Sequence, residues 1–217
     1  MRGLYAITPE TPDTARLVEQ VRQVIAGGAT VVQYRSKRVG HNIVRLQAET
    51  LRAITLETGT KFIVNDNSEL ALSVGADGVH LGRDDADTAA VAKLRKQCAA
   101  RFSATSFIIG VSCYNELSLA EAAVEAGADY IAFGSFFPSF TKPTAAKADV
   151  ALIRAAKARF DVPVVAIGGI TVDNAEELIS ANVDMVAVVS SLFGAADIEQ
   201  RAHEFTNLFK SGTHVHQ

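Results

Sequence analysis

The chain has 217 residues, 48% hydrophobic and 21% charged, which is the composition of a folded globular protein and excludes a disordered one. A formal net charge of −3 provides no general basic field for nucleic acid, so any anionic ligand must be held by a local cluster of Lys, Arg and backbone N–H groups. No apolar run approaches the roughly 20 residues that span a bilayer. The start Met1-Arg2-Gly3 runs straight into a strand without a signal-peptide core, so the cytoplasm is the expected compartment. Cys98 and Cys113 lack CxxC spacing and read as two reduced thiols, not a zinc site.

One mark recurs along the chain: a helical stretch ends in Gly-Ala or a similar pair, and a short apolar run follows. It appears as Ala26-Gly27-Gly28-Ala29, Val74-Gly75-Ala76-Asp77 and Ala126-Gly127-Ala128-Asp129, and more loosely as Ala181-Asn182-Val183-Asp184. Each reads as a helix C-cap, where Gly or Asn accepts the left-handed conformation, then a tight turn into a buried strand. Filling the gaps predicts strands at Leu4–Ile7, Val31–Tyr34, Phe62–Asn65, Gly78–Leu81, Ile108–Val111, Tyr130–Phe133, Val164–Ile167 and Met185–Val188. All are nearly continuous apolar runs, as parallel strands buried on both faces require.

Helix-start signals lie between them: Thr11-Pro12 before the first helix, Asn115 before the fifth and Asp173 before the seventh. Ala99–Ser106 and Ser135–Asp149 are the two irregular connections. An open doubly wound sheet competes with a barrel, but regular βα units without a Gly-rich turn after the first strand favour closure. The expectation is an α/β protein, a compact (β/α)8 TIM barrel forming one domain over residues 1–210, with a loose tail at 211–217. In such a barrel, residues just after each strand share one cleft.

That rule lets distant polar residues be read together. The second strand ends in Gln33-Tyr34-Arg35-Ser36-Lys37, and alternation puts Gln33, Arg35 and Lys37 on one side. Arg offers a planar fork to phosphate and Lys a point charge; the other reading is a solvated basic loop. Asn65-Asp66-Asn67 ends the third strand, and His80-Leu81-Gly82-Arg83-Asp84-Asp85 follows from the fourth. Asp66 with Asp84 or Asp85 provides the one or two carboxylates that magnesium takes beside phosphate, although Asp66 or Asn67 could equally cap the third helix. His80 points into the barrel or packs structurally, with no role assigned.

Gly110-Val111-Ser112-Cys113 lacks the turn and the base of a nucleophilic serine, so Ser112 reads as a hydrogen-bond donor to a ligand and Cys113 as a half-buried inert thiol. Ser139, Thr141, Lys142 and Thr144 give the connection after the sixth strand the character of a phosphate-binding lid; a plain solvated loop is the alternative. Gly168-Gly169 after the seventh strand, with Val189-Ser190 after the eighth, matches the usual phosphate site of these barrels.

Taken in order, these motifs resemble the thiamine phosphate synthase family over essentially the whole chain, from Leu4-Tyr5-Ala6-Ile7-Thr8 to Ser190. The resemblance rests on Gln33-x-Arg35-x-Lys37, Asn65-Asp66, Gly75-Ala76-Asp77-Gly78-Val79-His80-Leu81-Gly82-x-x-Asp85, Gly110-Val111-Ser112, Phe133-Gly134 through Thr141-Lys142, and Gly168-Gly169-Ile170-Thr171. It implies a transferase that joins a hydroxymethylpyrimidine diphosphate to a thiazole phosphate and releases pyrophosphate. By the same resemblance, Gln33, Tyr34, Arg35, Ser36, Lys37, Asn65, Ser112 and Lys142 bind the pyrimidine diphosphate. Ser139, Phe140, Thr141, Gly169, Val189 and Ser190 bind the thiazole phosphate, and Asp66 and Asp85 hold Mg2+. The catalytic group it implies is Arg35, Lys37, Lys142 and Ser112.

The chain departs from the family pattern at Asn67, where Arg is common, at Pro143, where Lys is common, and at Ser139, where Thr is usual. Pyrophosphate carries roughly three negative charges near neutral pH. Magnesium and three basic side chains, less two carboxylates, match it, which favours dissociative loss of pyrophosphate. A thiazole tautomerase on a similar barrel would need neither the diphosphate cluster nor the metal pair. A non-catalytic phosphate-ligand binder would not keep charged residues in every expected loop.

Overall fold

The computed structural model describes residues 1–82, 88–101, 107–138 and 148–211, with the side chains of residues 100 and 101 set apart. Eight strands form in chain order: β1 (Gly3–Ile7), β2 (Val31–Tyr34), β3 (Lys61–Asn65), β4 (Gly78–Leu81), β5 (Ile108–Tyr114), β6 (Tyr130–Phe133), β7 (Val164–Ile167) and β8 (Met185–Val188). Each pairs in parallel with the next, and β8 pairs back onto β1, closing the barrel. Five of the eight spans are as the apolar runs predict. β1 and β3 each begin one residue earlier, and β5 continues to Tyr114 through a bulge between Ser112 and Tyr114.

The unbroken apolar reading of the strands has a direct cause: each strand faces apolar matter on both sides. Tyr5, Ile7, Val31, Ile63, Tyr130, Val165, Met185 and Ala187 fill the barrel interior. The alternate residues, among them Leu4, Ala6, Val32, Phe62, Val64 and Ile131, form the larger layer between strands and helices.

The covering helices are α1 (Thr14–Ala26), α2 (His41–Thr58), α3 (Ser68–Ser73), α4 (Thr88–Arg101), α5 (Leu117–Glu125), α6 (Val150–Arg159), α7 (Val172–Ser180), the single turn α8 (Ser190–Phe193) and α9 (Ile198–Ser211). Their starts differ from expectation by one or two residues. Asp13 caps α1 by accepting the Arg16 N–H at 3.0 Å, and Thr11 in turn accepts the Asp13 N–H. Glu116 and not Asn115 stands at the cap of α5, while Thr171 caps α7 and Asp173 lies inside its first turn. α4 takes in residues 99–101 of the irregular connection before β5, and α9 runs one residue past the expected domain end. The calls on residues 102–106, 139–147 and 212–217 lie outside the described residues.

The recurring mark proves to be more than a turn. Gly75, Gly127 and Asn182 adopt positive φ, as the C-cap reading requires. The acid that follows then reaches sideways. Asp77 Oδ2 accepts the Phe62 N–H at 2.8 Å and an Arg52 N–H at 2.7 Å. Asp129 accepts the Ile109 N–H at 2.7 Å and pairs with Arg95, and Asp184 accepts the Val164 N–H and the Lys157 ammonium, both at 2.7 Å. Each acid thus ties the start of the neighbouring strand to a helix at the N-terminal face, which in this fold serves stability. α9 packs on α1 and β1, where a Cβ at Gly27 would meet Ala202 at 2.3 Å. Among the described residues, no helix is long and apolar enough to cross a membrane.

Candidate active site

At the C-terminal rim, β2 turns Gln33 inward and Tyr34 outward, where the Tyr34 hydroxyl donates to Gln47 Oε1 on α2 at 2.8 Å. The Tyr34 side chain therefore packs under α2, leaving its backbone to the site. The segment beyond is held from β1: the Arg35 N–H donates to Thr8 Oγ1 at 3.0 Å, and the Lys37 N–H to Glu10 at 2.8 Å. Arg38 pairs with the same carboxylate through its backbone and its guanidinium. Burial works to raise the Glu10 pKa, but the N–H groups of Arg38 and Lys37 and the Arg38 charge together hold it below the usual carboxylate range. Arg35 and Ser36 are half-buried, and the Arg35 guanidinium has no partner among the described residues.

Lys37 crosses to β3, where its Nζ lies 3.0 Å from Asp66 Oδ2. Asp66 has φ of 61°, an uncommon conformation outside glycine for which Asp and Asn are enriched. Three hydrogen bonds from β3 and the end of β4 hold it there: the Asn65 side-chain amide donates to Oδ2 at 2.7 Å, the Gly82 N–H to Oδ1 at 3.1 Å, and the Asp66 N–H to the His80 carbonyl at 2.8 Å. The helix cap of α3 is Asn67, which accepts the Leu70 N–H at 2.9 Å. Asp66 is thereby free of capping and faces the rim with Lys37.

Inside the barrel a buried polar chain joins opposite walls. Gln33 Nε2 donates to the Tyr5 hydroxyl at 2.8 Å, Tyr5 meets Tyr130 at 2.8 Å, and Tyr130 meets His80 Nδ1 at 2.9 Å. His80 Nε2 then reaches Ser112 Oγ at 2.9 Å. Burial lowers the His80 pKa from 6.5 to about 4 against the opposing charge of Asp66, so the imidazole is neutral. Burial likewise raises Tyr5 and Tyr130 well above the usual phenol range. An unpaired buried donor or acceptor costs about 1–3 kcal/mol, so the chain is stable only when fully connected. Gly110 makes room for it: a Cβ there would stand 1.9 Å from Tyr130 Cζ. Ser112 sits at the bulge of β5, a device that re-aims side chains beside active sites. Reading by motif passes over Tyr5, His80 and Tyr130; their signal is a polar side chain in the inward phase of an apolar strand.

Gly169, Val189 and Ser190 gather at the ends of β7 and β8. The glycine pair answers first to the chain after β6: at φ of 103° and 65°, a Cβ on Gly168 would meet Ser135 at 2.1 Å and one on Gly169 the Pro138 carbonyl at 2.5 Å. Cys113 is fully buried where half-burial was expected, and burial pushes its thiol up to about 12. Asp85, Ser139, Phe140, Thr141 and Lys142 lie outside the described residues. Among the described residues no three His, Cys, Asp or Glu cluster to hold a metal. Asp66 nevertheless fits magnesium, which takes one or two carboxylates: it presents hard oxygens at the rim, and its partner Gly82 opens the segment leading to Asp85.

Comparison with known proteins decides the family. Residues 4–192, from β1 through most of α8, match the family model of thiamine monophosphate synthase. The chain belongs to the thiamine monophosphate synthase family. The thiamine-phosphate synthase of Methylobacillus flagellatus is 51% identical over 210 residues, covering 96% of each chain. That of Nitrosospira multiformis is 49% identical, over 96% of this chain and 86% of its own. The solved structure of thiamine phosphate pyrophosphorylase from Pyrococcus furiosus superposes with a TM-score of 0.83 at 35% identity, covering 97% of this chain and 96% of that one. Membership makes this thiamine monophosphate synthase barrel an enzyme, with the inward polar chain and the Lys37–Asp66 rim as its candidate active site.

Proposed function

We propose that the chain condenses 4-amino-2-methyl-5-hydroxymethylpyrimidine diphosphate with 4-methyl-5-hydroxyethylthiazole phosphate, or its carboxylated form, to give thiamine phosphate and pyrophosphate. The observation that carries this reading is the 3.0 Å contact of Lys37 with Asp66, which brings a cation and a carboxylate together at one rim, two residues along from Arg35, whose guanidinium has no partner among the described residues. Names borne by relatives of about half-identical sequence support the same chemistry.

Gln33, Asn65 and Ser112, with the backbone of Tyr34 and Ser36, bind the aminopyrimidine and its diphosphate. Arg35, Lys37 and Lys142 face the diphosphate, while Ser139, Phe140, Thr141, Gly169, Val189 and Ser190 receive the thiazole phosphate. Asp66 and Asp85 hold Mg2+, which when bound neutralises charge on the phosphate oxygens. The bond from the pyrimidine methylene to the diphosphate oxygen breaks with its electron pair leaving on pyrophosphate, and the aminopyrimidine delocalises the cation. The thiazole nitrogen lone pair then forms the new C–N bond. Arg35, Lys37 and Lys142 stabilise the departing charge in a site closed to water, without a general base.

Mixing both substrates with magnesium should give thiamine phosphate and pyrophosphate in equal amounts, and EDTA should abolish both. Turnover of one phosphorylated thiazole alone, independent of metal, would refute the proposal. Lys142→Ala should slow pyrophosphate release in a single turnover far more than it weakens thiazole phosphate binding; an unchanged rate would remove that role.

A further inference from the structure

We propose that His80 is a positioning residue for substrate recognition, and that the buried chain from Gln33 to Ser112 runs as a one-way series of donors that turns the Ser112 proton toward the ligand. Ser112 is then committed to an acceptor atom, which on an aminopyrimidine is an unprotonated ring nitrogen. The assignment of that ring rests on the function proposed above; the direction of the chain does not.

The direction follows from counting protons on buried atoms. Tyr5, Tyr130 and His80 are all buried, so each of their polar hydrogens needs a partner within the chain, and buried Gln33 turns one end of its amide to Tyr5. Gln33 Nε2 donates to Tyr5. Tyr5 has a single hydroxyl proton, and Tyr130 is its remaining partner at 2.8 Å. Tyr130, having accepted, gives its own proton to His80 Nδ1 at 2.9 Å. A neutral imidazole that accepts at Nδ1 carries its proton on Nε2, so His80 donates to Ser112 Oγ at 2.9 Å. Ser112 has accepted from within the barrel, and its own O–H points to the rim.

Only one other fully paired arrangement exists. If the Gln33 carbonyl faced Tyr5, every bond would reverse, His80 would carry Nδ1–H, and Ser112 would spend its proton on Nε2 and could only accept from a ligand. The amide end that Gln33 turns inward thus sets the hydrogen-bonding sense of a serine on the opposite wall. Histidine suits this position because it alone accepts on one ring nitrogen while donating from the other. Its ring lies stacked on Tyr130, 5.6 Å between centroids and 19° between planes, which keeps both nitrogens in line. A residue that merely filled space would work with either polarity.

The test is nitrogen NMR of ligand-free enzyme with 15N-labelled histidine, the His80 signals being assigned by their loss in His80→Gln. The expected result is a protonated Nε2 and an unprotonated Nδ1. Tyr130→Phe keeps the ring but removes the donor to Nδ1; it should mix the two tautomers and raise KM for the pyrimidine diphosphate about fivefold to tenfold, leaving KM for the thiazole phosphate unchanged. His80→Gln, which can still donate to Ser112, should retain more activity than His80→Leu. A protonated Nδ1 in the wild type overturns the proposed direction even if Tyr130→Phe does not fold, and equal rises in both KM values overturn the positioning role. A protonated Nε2 in a protein that makes no thiamine phosphate would instead refute the pyrimidine assignment and leave the direction standing.

Discussion

Cys113 stands beside Ser112 in the bulge of β5, yet its side chain turns out of the barrel into the layer under the helices. Burial lifts its thiol from an ordinary 9.0 to about 12. Below pH 9 both folded and unfolded chains keep the proton. Between the two values the unfolded chain gives it up and the folded chain does not, so this contribution to stability is lost as pH rises from 9.0 toward 12. Cys113→Ala should flatten the alkaline fall in urea-unfolding stability. Since Cys98 is buried as well, a thiol reagent at pH 8 should find neither cysteine in the native protein and both after unfolding. Two residues before Ser112 in the same strand, Gly110 leaves room for Tyr130. Gly110→Ala should therefore cost about 1–3 kcal/mol in urea unfolding by overpacking, and it should raise KM for the pyrimidine diphosphate by displacing a link in the interior chain.

At the scale of elements, the two ends of the barrel divide stability from chemistry. Asp77, Asp129 and Asp184 each pin the start of one strand and pair with a basic residue of α2, α4 or α6. Asp184→Ala should lower unfolding stability by about 2 kcal/mol, the scale of a hydrogen bond to a charged group. kcat/KM should stay unchanged, because the clamp lies at the face opposite the site. Glu10 is the counterpart at the rim, where it shapes the β2–α2 connection through the N–H groups of Lys37 and Arg38. Glu10→Ala should release that connection and raise KM for the diphosphate substrate several-fold, with the melting temperature little altered. A loss confined to thermal stability would show that Glu10 does not position Lys37.

For the whole molecule, closure makes residues distant along the chain into neighbours. Tyr5 and Tyr130 are 125 residues apart and share a hydrogen bond, and the carbonyl of Gly27 accepts from Thr206 across 179 residues. α9 seals the seam near the start of β1, and its packing depends on the bare backbone of Gly27. Gly27→Val should push α9 outward and destabilise the barrel by about 1–3 kcal/mol, visible in the urea midpoint.

The eight strands and their order were legible because both faces of a parallel strand are buried, and an apolar run of four or five residues between C-cap marks has few other readings. The same alternation puts Gln33, Arg35 and Lys37 on one side, and the structure turns Gln33 inward and sets Lys37 at the rim. The turn acids were legible only as punctuation: nothing local in Asp77 or Asp184 says that it reaches a neighbouring strand, since its partners Phe62 and Val164 lie 15 and 20 residues away. The Tyr34 side chain packs under α2 because a residue adjacent in sequence to the inward Gln33 faces the other side of a strand. Tyr5, His80 and Tyr130 were each readable as ordinary core. Hydrophobic period and turn chemistry are properties of contiguous residues, so the sequence by itself determined the barrel and the composition of its rim. A hydrogen-bonded chain exists only between atoms on different strands, so the link from Gln33 to Ser112 was decided by closure of the sheet.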